Sequence, residues 1–185
     1  MDPFHVVSLA GDKLDECRRR VQRAITGRRG RAGDRLYRAR RTLLTGAGLL
    51  TDAQAERLEA LFADDRHAAV QASWGVYQRL IQAYRVEDPG LGKYLMQRLI
   101  DSLKQAIPDE LEEIQALAKT LTERASDTPD LLRPPPYLQR PHAKPSTGAW
   151  STYAASPWDL RNLTNYTIGS LIHTGRLKDH LTTTT

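Results

Sequence analysis

The chain has 185 residues, a net charge of +5 and one cysteine, and this composition excludes several kinds of protein. The lone Cys17 excludes an internal disulfide and a cysteine-based zinc site. No run of about 18 apolar residues occurs and the first residues lack a signal peptide's apolar region, so we expect a cytoplasmic protein without a membrane partner. The aromatic content of 6% and a mean hydropathy of -0.53 predict a small or incomplete core.

Residues 4–25 have the period of an amphipathic helix. Asp2 is placed to be its N-cap, with Pro3 in the first turn. Cys17 belongs to the apolar face and is interpreted as a small core residue. This face consists of Phe4, Val7, Ala10, Leu14, Cys17, Val21 and Ala24.

Further helices are predicted between residues 34 and 127. Asp34 is expected to cap the second helix, which ends near residue 44, and residues 51–54 fit a capping box that begins the third. The fourth covers about residues 68–86. The fifth follows a turn at 88–90, is defined by Leu91, Leu95, Leu99 and Leu103, and ends before Pro108. Asp109 is expected to cap the sixth, whose first turn is acidic as the helix dipole favours.

The fourth helix carries an aromatic stripe formed by Trp74, Tyr77 and Tyr84. These residues share one periodic face with Val70 and Ile81. We therefore predict that the stripe belongs to the core and is not a platform for stacking bases.

The most basic part of the chain is residues 12–41, where twelve basic residues accompany four acids. Gly27, Gly30 and Gly33 make its centre a predicted loop. Arginine suits phosphate because its planar guanidinium donates two parallel hydrogen bonds, so the segment predicts contact with a polyanion such as DNA. A solvated charged surface is the alternative reading. The predicted DNA-binding residues are Arg18, Arg19, Arg20, Arg23, Arg28, Arg29, Arg31, Arg35, Arg38, Arg40 and Arg41.

Residues 128–158 hold seven of the ten prolines, and this composition predicts a disordered, extended connector. Beyond it, residues 159–172 have the period of another helix, followed by a frayed tail. The sequence thus predicts a mainly α fold in three parts. These are a helical region at 1–127, a proline-rich connector at 128–158, and a C-terminal helix with its tail at 159–185.

A self-sufficient catalytic motif is absent from the sequence. It contains no phosphate-binding glycine loop, no His/Cys spacing typical of a metal site, and no serine nucleophile elbow. The five histidines do not pair at ligand spacing on one helix face.

Several short motifs nevertheless occur in a characteristic order. They are DPFHVV at residues 2–7, TGRRG at 26–30, LYRARRTLL at 36–44, WGVYQ at 74–78 and LRNLTNY at 160–166. Together they resemble the C-terminal part of bacterial insertion-sequence transposases of the DDE class, in the ISL group. The resemblance covers residues 2–127 and 160–181.

The resemblance implies an RNase H-like catalytic domain that moves DNA between sites. In that family two aspartates and one glutamate hold two Mg²⁺ ions, which activate the attacking oxygen and stabilise the leaving one at transposon ends. It places the second aspartate, a catalytic and metal-binding residue, at Asp2. The first aspartate has no match, and the oligomeric state is left open.

The family's glutamate is expected within residues 128–158, but the written residues do not show its motif. The two neighbouring reading frames over residues 132–159 can encode this motif in parts and in the right order. We therefore hypothesise frame changes near Asp127, His142 and Leu160, as in a pseudogene. The expected product is a truncated, catalytically inactive transposase fragment that binds no Mg²⁺, because one carboxylate cannot hold the metal pair, and that retains DNA binding.

Two alternatives remain open at this stage. The chain could be a non-enzymatic helical module that binds DNA or a protein partner and uses Pro134-Pro135-Pro136 as a ligand segment. It could also be an active transposase whose missing part is supplied in trans.

Overall fold

The structure, a computed structural model, describes residues 3–104 and 107–127, which form α-helices joined by short turns. The helices are α1 Pro3–Thr26, α2 Arg35–Leu43, α3 Asp52–Phe62, α4 Ala68–Arg85, α5 Pro89–Leu103 and α6 Glu112–Asp127. Single 3-10 turns lie at Ala47–Leu49, Asp65–His67 and Asp109–Leu111. No strand occurs in these two ranges, so the mainly α prediction is confirmed for this part of the chain. The predicted N-cap Asp2, the connector and the last helix lie outside the described residues.

The helix ends follow the predicted signals at some positions and depart from them at others. The capping box at the start of α3 is present, with Gln54 Oε1 accepting from Thr51 N at 3.0 Å. Asp34 has the extended backbone of an N-cap, but its side chain makes no cap hydrogen bond. Asp109 does not cap α6, because a 3-10 turn that follows Pro108 precedes the helix and contains Asp109.

Helix α4 lies at the centre of the packing. It contacts α1 and α5 most extensively, and α6 as well. Trp74, Tyr77 and Tyr84 are all buried, so the aromatic stripe belongs to the core as predicted. The ring of Trp74 packs against Phe62 of α3 with centroids 5.4 Å apart.

A small or incomplete core was predicted, and in the described helices the core is continuous. One continuous cluster of buried side chains extends through all six, because Leu, Ile, Val and Ala supply most of its volume and few aromatic rings are needed. The large hydrophobic residues that remain exposed in the described part of the chain are Leu44, Leu49, Leu91 and Tyr94. None of the described helices combines the length and apolar content that crossing a bilayer requires.

Helices α4 and α5 approach each other closely at Gly92. A Cβ atom added there would lie 2.7 Å from the backbone oxygen of Ala83, so only glycine fits. The buried face of α5 includes Met96 and Ile100, whereas Leu91 is 44% exposed. The same face includes Leu99 and Leu103, and Leu95 packs against the core, so three of the four leucines predicted to define this helix lie on its buried side.

Candidate nucleic-acid interface

The basic segment folds into the second half of α1, the loop 27–34 and α2. Gly27 ends α1 with a φ of +67°, a left-handed conformation that favours glycine, and its N–H donates to Arg23 O at 2.8 Å. This turn starts the loop on a path that brings Gly30 against Gln22 of α1 and Tyr37 of α2.

Asp34 fixes the loop. Its carboxylate accepts two hydrogen bonds from the guanidinium of Arg28, at 2.9 and 3.0 Å, and one from Arg31 N at 2.7 Å. The Arg28 contact, followed by the Arg31 N–H, lowers the pKa of Asp34. This use of the carboxylate explains why Asp34 does not cap α2 with its side chain.

A cleft of about 400 Å³ opens between α1, the loop and α2, and we call it the arginine cleft. Four guanidinium groups and one carboxylate belong to its lining. The lining residues are Asp15, Arg18, Arg19, Gln22, Arg23, Arg29, Gly30 and Tyr37.

The arginines of the cleft differ in their partners. Arg18 is buried, with 7% of its side chain exposed, and donates to Asp15 Oδ1 at 2.7 Å. Arg19 contacts the other oxygen of Asp15 at 3.0 Å, but 60% of its side chain is exposed. Arg23 and Arg29 are exposed and have no ion-pair partner among the residues that the structure describes. They are therefore the cationic groups of the cleft that are most available to an anion.

Arg20 faces away from this surface and joins α1 to α6. Its Nε and Nη2 donate to the two carboxylate oxygens of Glu113 at 2.7 and 2.8 Å, and Nη2 also donates to Glu110 O at 2.7 Å. The Glu113 side chain is only 6% exposed. Burial raises the pKa of Glu113, but the hydrogen bonds and charge of Arg20 act in the opposite direction, and the net effect is a lowered pKa.

The remaining predicted arginines lie on the loop and α2. Arg35 donates to Ala60 O at 3.1 Å, and Arg40 lies 4.3 Å from the centroid of the Tyr37 ring and donates to Tyr37 O at 3.0 Å. The other three are exposed and form no ion pair within residues 3–104 and 107–127; they are Arg31, Arg38 and Arg41.

Sequence reasoning missed the polar partners of these arginines. The i,i+3 and i,i+4 spacing of Asp15 to Arg18 and Arg19 was a signal for an ion pair. Nothing in the sequence indicated that Gln22 and Tyr37 would share the cleft, since they belong to different helices.

The described residues contain none of the metal ligands that the resemblance implies. Asp2 lies outside them, and in the part that the structure describes no three His, Cys, Asp or Glu side chains come together in a way that could hold a metal ion.

Comparison with known proteins gives one finding. A family model described as a transposase, of the ISL3 type, matches residues 1–132 of the 185. No curated protein and no solved structure gives a significant match.

Proposed function

Because the chain belongs to the ISL3-type transposase family, whose function is DNA transposition, we propose that it binds DNA through the exposed arginines of α1, the loop and α2. The observation that carries this proposal is the arginine cleft, where Arg23 and Arg29 lie exposed beside Arg19. Guanidinium groups without an internal partner can bind phosphate without first breaking an ion pair. Arg18 and Arg20 are assigned instead to contacts inside the fold, with Asp15 and Glu113.

The same proposal holds that this chain does not cleave DNA by itself. Cleavage by the family's mechanism needs three carboxylates around two metal ions, and the sequence motifs supply only Asp2. On the same motif pattern we propose frame changes within residues 127–160, a bacterial origin and descent from an RNase H-like domain. Sequencing the gene tests the frame changes, since neither alternative frame would spell the glutamate motif if the idea were wrong.

The binding proposal is tested by fluorescence anisotropy with a labelled DNA duplex between 50 and 200 mM salt, the range over which counterion release changes affinity by orders of magnitude. We expect affinity to fall steeply with salt. In Arg23→Met and Arg29→Met the slope of log K against log salt should decrease by about 1 for each phosphate contact removed.

Arg57→Met is the matched control. Arg57 is exposed on α3, and among the described residues its side chain donates only to Ala53 O of its own helix, at 2.7 Å. This variant removes the same charge and should leave the slope unchanged. If Arg57→Met changed the slope as much as Arg23→Met does, the effect would come from net charge alone. Absence of binding by the wild-type chain at low salt would refute the proposal. Cleavage of transposon-end DNA by the wild-type chain with Mg²⁺ would refute the inactivity.

The interaction-module alternative depends on residues 128–158, which lie outside the described residues. No observation on the described helices favours it.

A further inference from the structure

Gln22 is an unusual residue in the lining of the arginine cleft. It is 4% exposed, and its Oε1 atom is buried without a hydrogen-bond partner among the residues that the structure describes. Leaving a buried acceptor unsatisfied costs about 1–3 kcal/mol. A Met side chain of similar length would avoid this cost, so the fold alone does not account for the amide.

The loop holds Gln22 and Tyr37 in place from one side. A Cβ atom added at Gly30 would lie 3.0 Å from Tyr37 Cδ2 and 3.3 Å from Gln22 Cγ. The backbone of the loop therefore packs directly on both side chains. Arg40 lies on the Tyr37 ring, at 4.3 Å from its centroid, and restricts the ring further.

An inorganic anion would accept from the arginines and from the Gln22 amide nitrogen, but it would not supply a donor to Gln22 Oε1, which is the atom without a partner. Phosphate at neutral pH offers acceptor oxygens to guanidinium groups and little to a carbonyl oxygen. A nucleobase offers amino or imino donors beside ring acceptors, which is the pattern that a glutamine amide recognises with its oxygen and nitrogen. The last torsion of a glutamine side chain is soft, so the amide can turn either atom toward a ligand.

The size of the cleft agrees with one nucleotide. Its volume of about 400 Å³ is within the range of pockets that enclose small ligands, roughly 300–1,000 Å³, and is too small for a base pair with both backbones. Tyr37 and the guanidinium planes of the lining are surfaces of the kind on which single bases stack.

We propose that the arginine cleft binds a single nucleotide, with its phosphate on Arg23 and Arg29 and the edge of its base on Gln22. The nucleotide is either free or an unpaired nucleotide within DNA. The second case rests on the proposed DNA-binding function.

The test uses the full chain and three duplexes of one sequence: fully paired, with one bulged adenosine, and with a bulged abasic site. We expect the bulged adenosine to raise affinity by about tenfold, a free-energy difference of about 1.4 kcal/mol, over both other duplexes. In Gln22→Met the three affinities should become equal while binding to the paired duplex and its salt slope are retained. Thermal melting followed by circular dichroism should show no loss of stability, because the change removes an unsatisfied oxygen.

A second pair of variants keeps the result interpretable if Gln22→Met does not fold. Gly30→Ala presses on Tyr37 and Gln22 and should abolish the preference for the bulged adenosine. Gly33→Ala in the same loop meets no atom within 4 Å and should leave it intact.

Calorimetry with free dAMP and with deoxyribose 5-phosphate separates the two sources of nucleotide. Binding of dAMP but not of the sugar phosphate, without a preference for the bulged duplex, assigns the cleft to free nucleotides. Equal binding of all three duplexes without binding of dAMP overturns this inference but leaves the DNA-binding proposal standing. Binding of dAMP without binding of any duplex refutes the DNA-binding proposal alone, and absence of all binding refutes both.

Discussion

Replacement of Arg20 by Met tests whether this arginine stabilises the fold instead of contacting DNA. The change removes the guanidinium that donates to both oxygens of Glu113 and to Glu110 O, while keeping most of the apolar length of the side chain. Glu113 is left as a carboxylate with 6% of its side chain exposed and without its main hydrogen-bond donor. We expect the folded state to lose stability and the DNA affinity to be retained.

The magnitude follows from the burial of the two partners. Removing one partner of a fully buried ion pair costs about 3–5 kcal/mol. The Arg20 side chain is 35% exposed, so solvent already weakens the pair and we reduce this figure to about 2–3 kcal/mol. For a helical unit of this size, about 4 °C of melting temperature corresponds to 1 kcal/mol, which gives a decrease of about 10 °C.

The assay combines thermal and urea unfolding, followed by circular dichroism, with the DNA titration at varied salt. Arg20→Met should lower the melting temperature and leave the salt slope unchanged. Arg23→Met should leave the melting temperature unchanged and decrease the salt slope. The double variant Arg20→Met with Glu113→Met should recover most of the stability, because it leaves no buried carboxylate without a partner. Glu112, which also pairs with Arg20 at 3.1 Å, is 66% exposed and remains solvated.

Two results would refute this reasoning. The first is an Arg20→Met variant of wild-type stability that loses as much DNA affinity as Arg23→Met. The second is a double variant that is less stable than Arg20→Met, which would show that the lost packing of the side chains, and not the unpaired carboxylate, is the source of the destabilisation.

Three further predictions concern the described helices. Gly92→Ala should lower the free energy of unfolding by about 1–3 kcal/mol, since the added Cβ meets the backbone oxygen of Ala83. Gly75→Ala on α4 meets no atom within 4 Å and should raise the free energy of unfolding by about 0.5–1 kcal/mol. Urea unfolding measures both variants, and equal effects would contradict the close approach of α4 and α5. The pKa of Glu113 is lowered from its ordinary value of 4.5, so the stabilising contribution of this carboxylate is present above that pH and is lost as the pH falls through the folded-state pKa. The difference in unfolding free energy between wild type and Glu113→Gln, measured in urea, should therefore shrink toward zero below pH 4.5. A difference that stays constant with pH would contradict the lowered pKa. Burial raises the pKa of the Cys17 thiol to about 11, so at pH 8 the thiol should react slowly with a disulfide reagent in the native protein and rapidly in urea. Fast labelling of the native protein would contradict the buried position.

Much of the helical architecture could be predicted because its signals are local. The period of α1 placed Leu14 and Cys17 in the core, and the capping box at Thr51 marked the start of α3. The spacing of the leucines in α5 likewise placed Leu99 and Leu103 in the core, but it did not show that Leu91 would be exposed. The orientation of a helix is decided by its neighbours, and here the close approach at Gly92 sets it.

The candidate site was predicted in its charge and not in its geometry. The density of arginines in residues 12–41 indicated a polyanion partner, and it gave every guanidinium in the segment the same role. Arg20 has a structural role instead, because α6, which is distant in the chain, places Glu113 within hydrogen-bond distance of the Arg20 guanidinium. The same limitation hid Gln22, whose burial depends on a loop that returns to α1.

The sequence by itself determined the helical class, the helix periods, the concentration of positive charge and the motifs of the transposase family, because each of these is a property of residues close together in the chain. The tertiary structure alone decided which arginines are neutralised and which remain exposed. Ion pairs such as Arg20 with Glu113, and the closure of the arginine cleft by Gly30 and Tyr37, depend on distances between segments that only packing fixes.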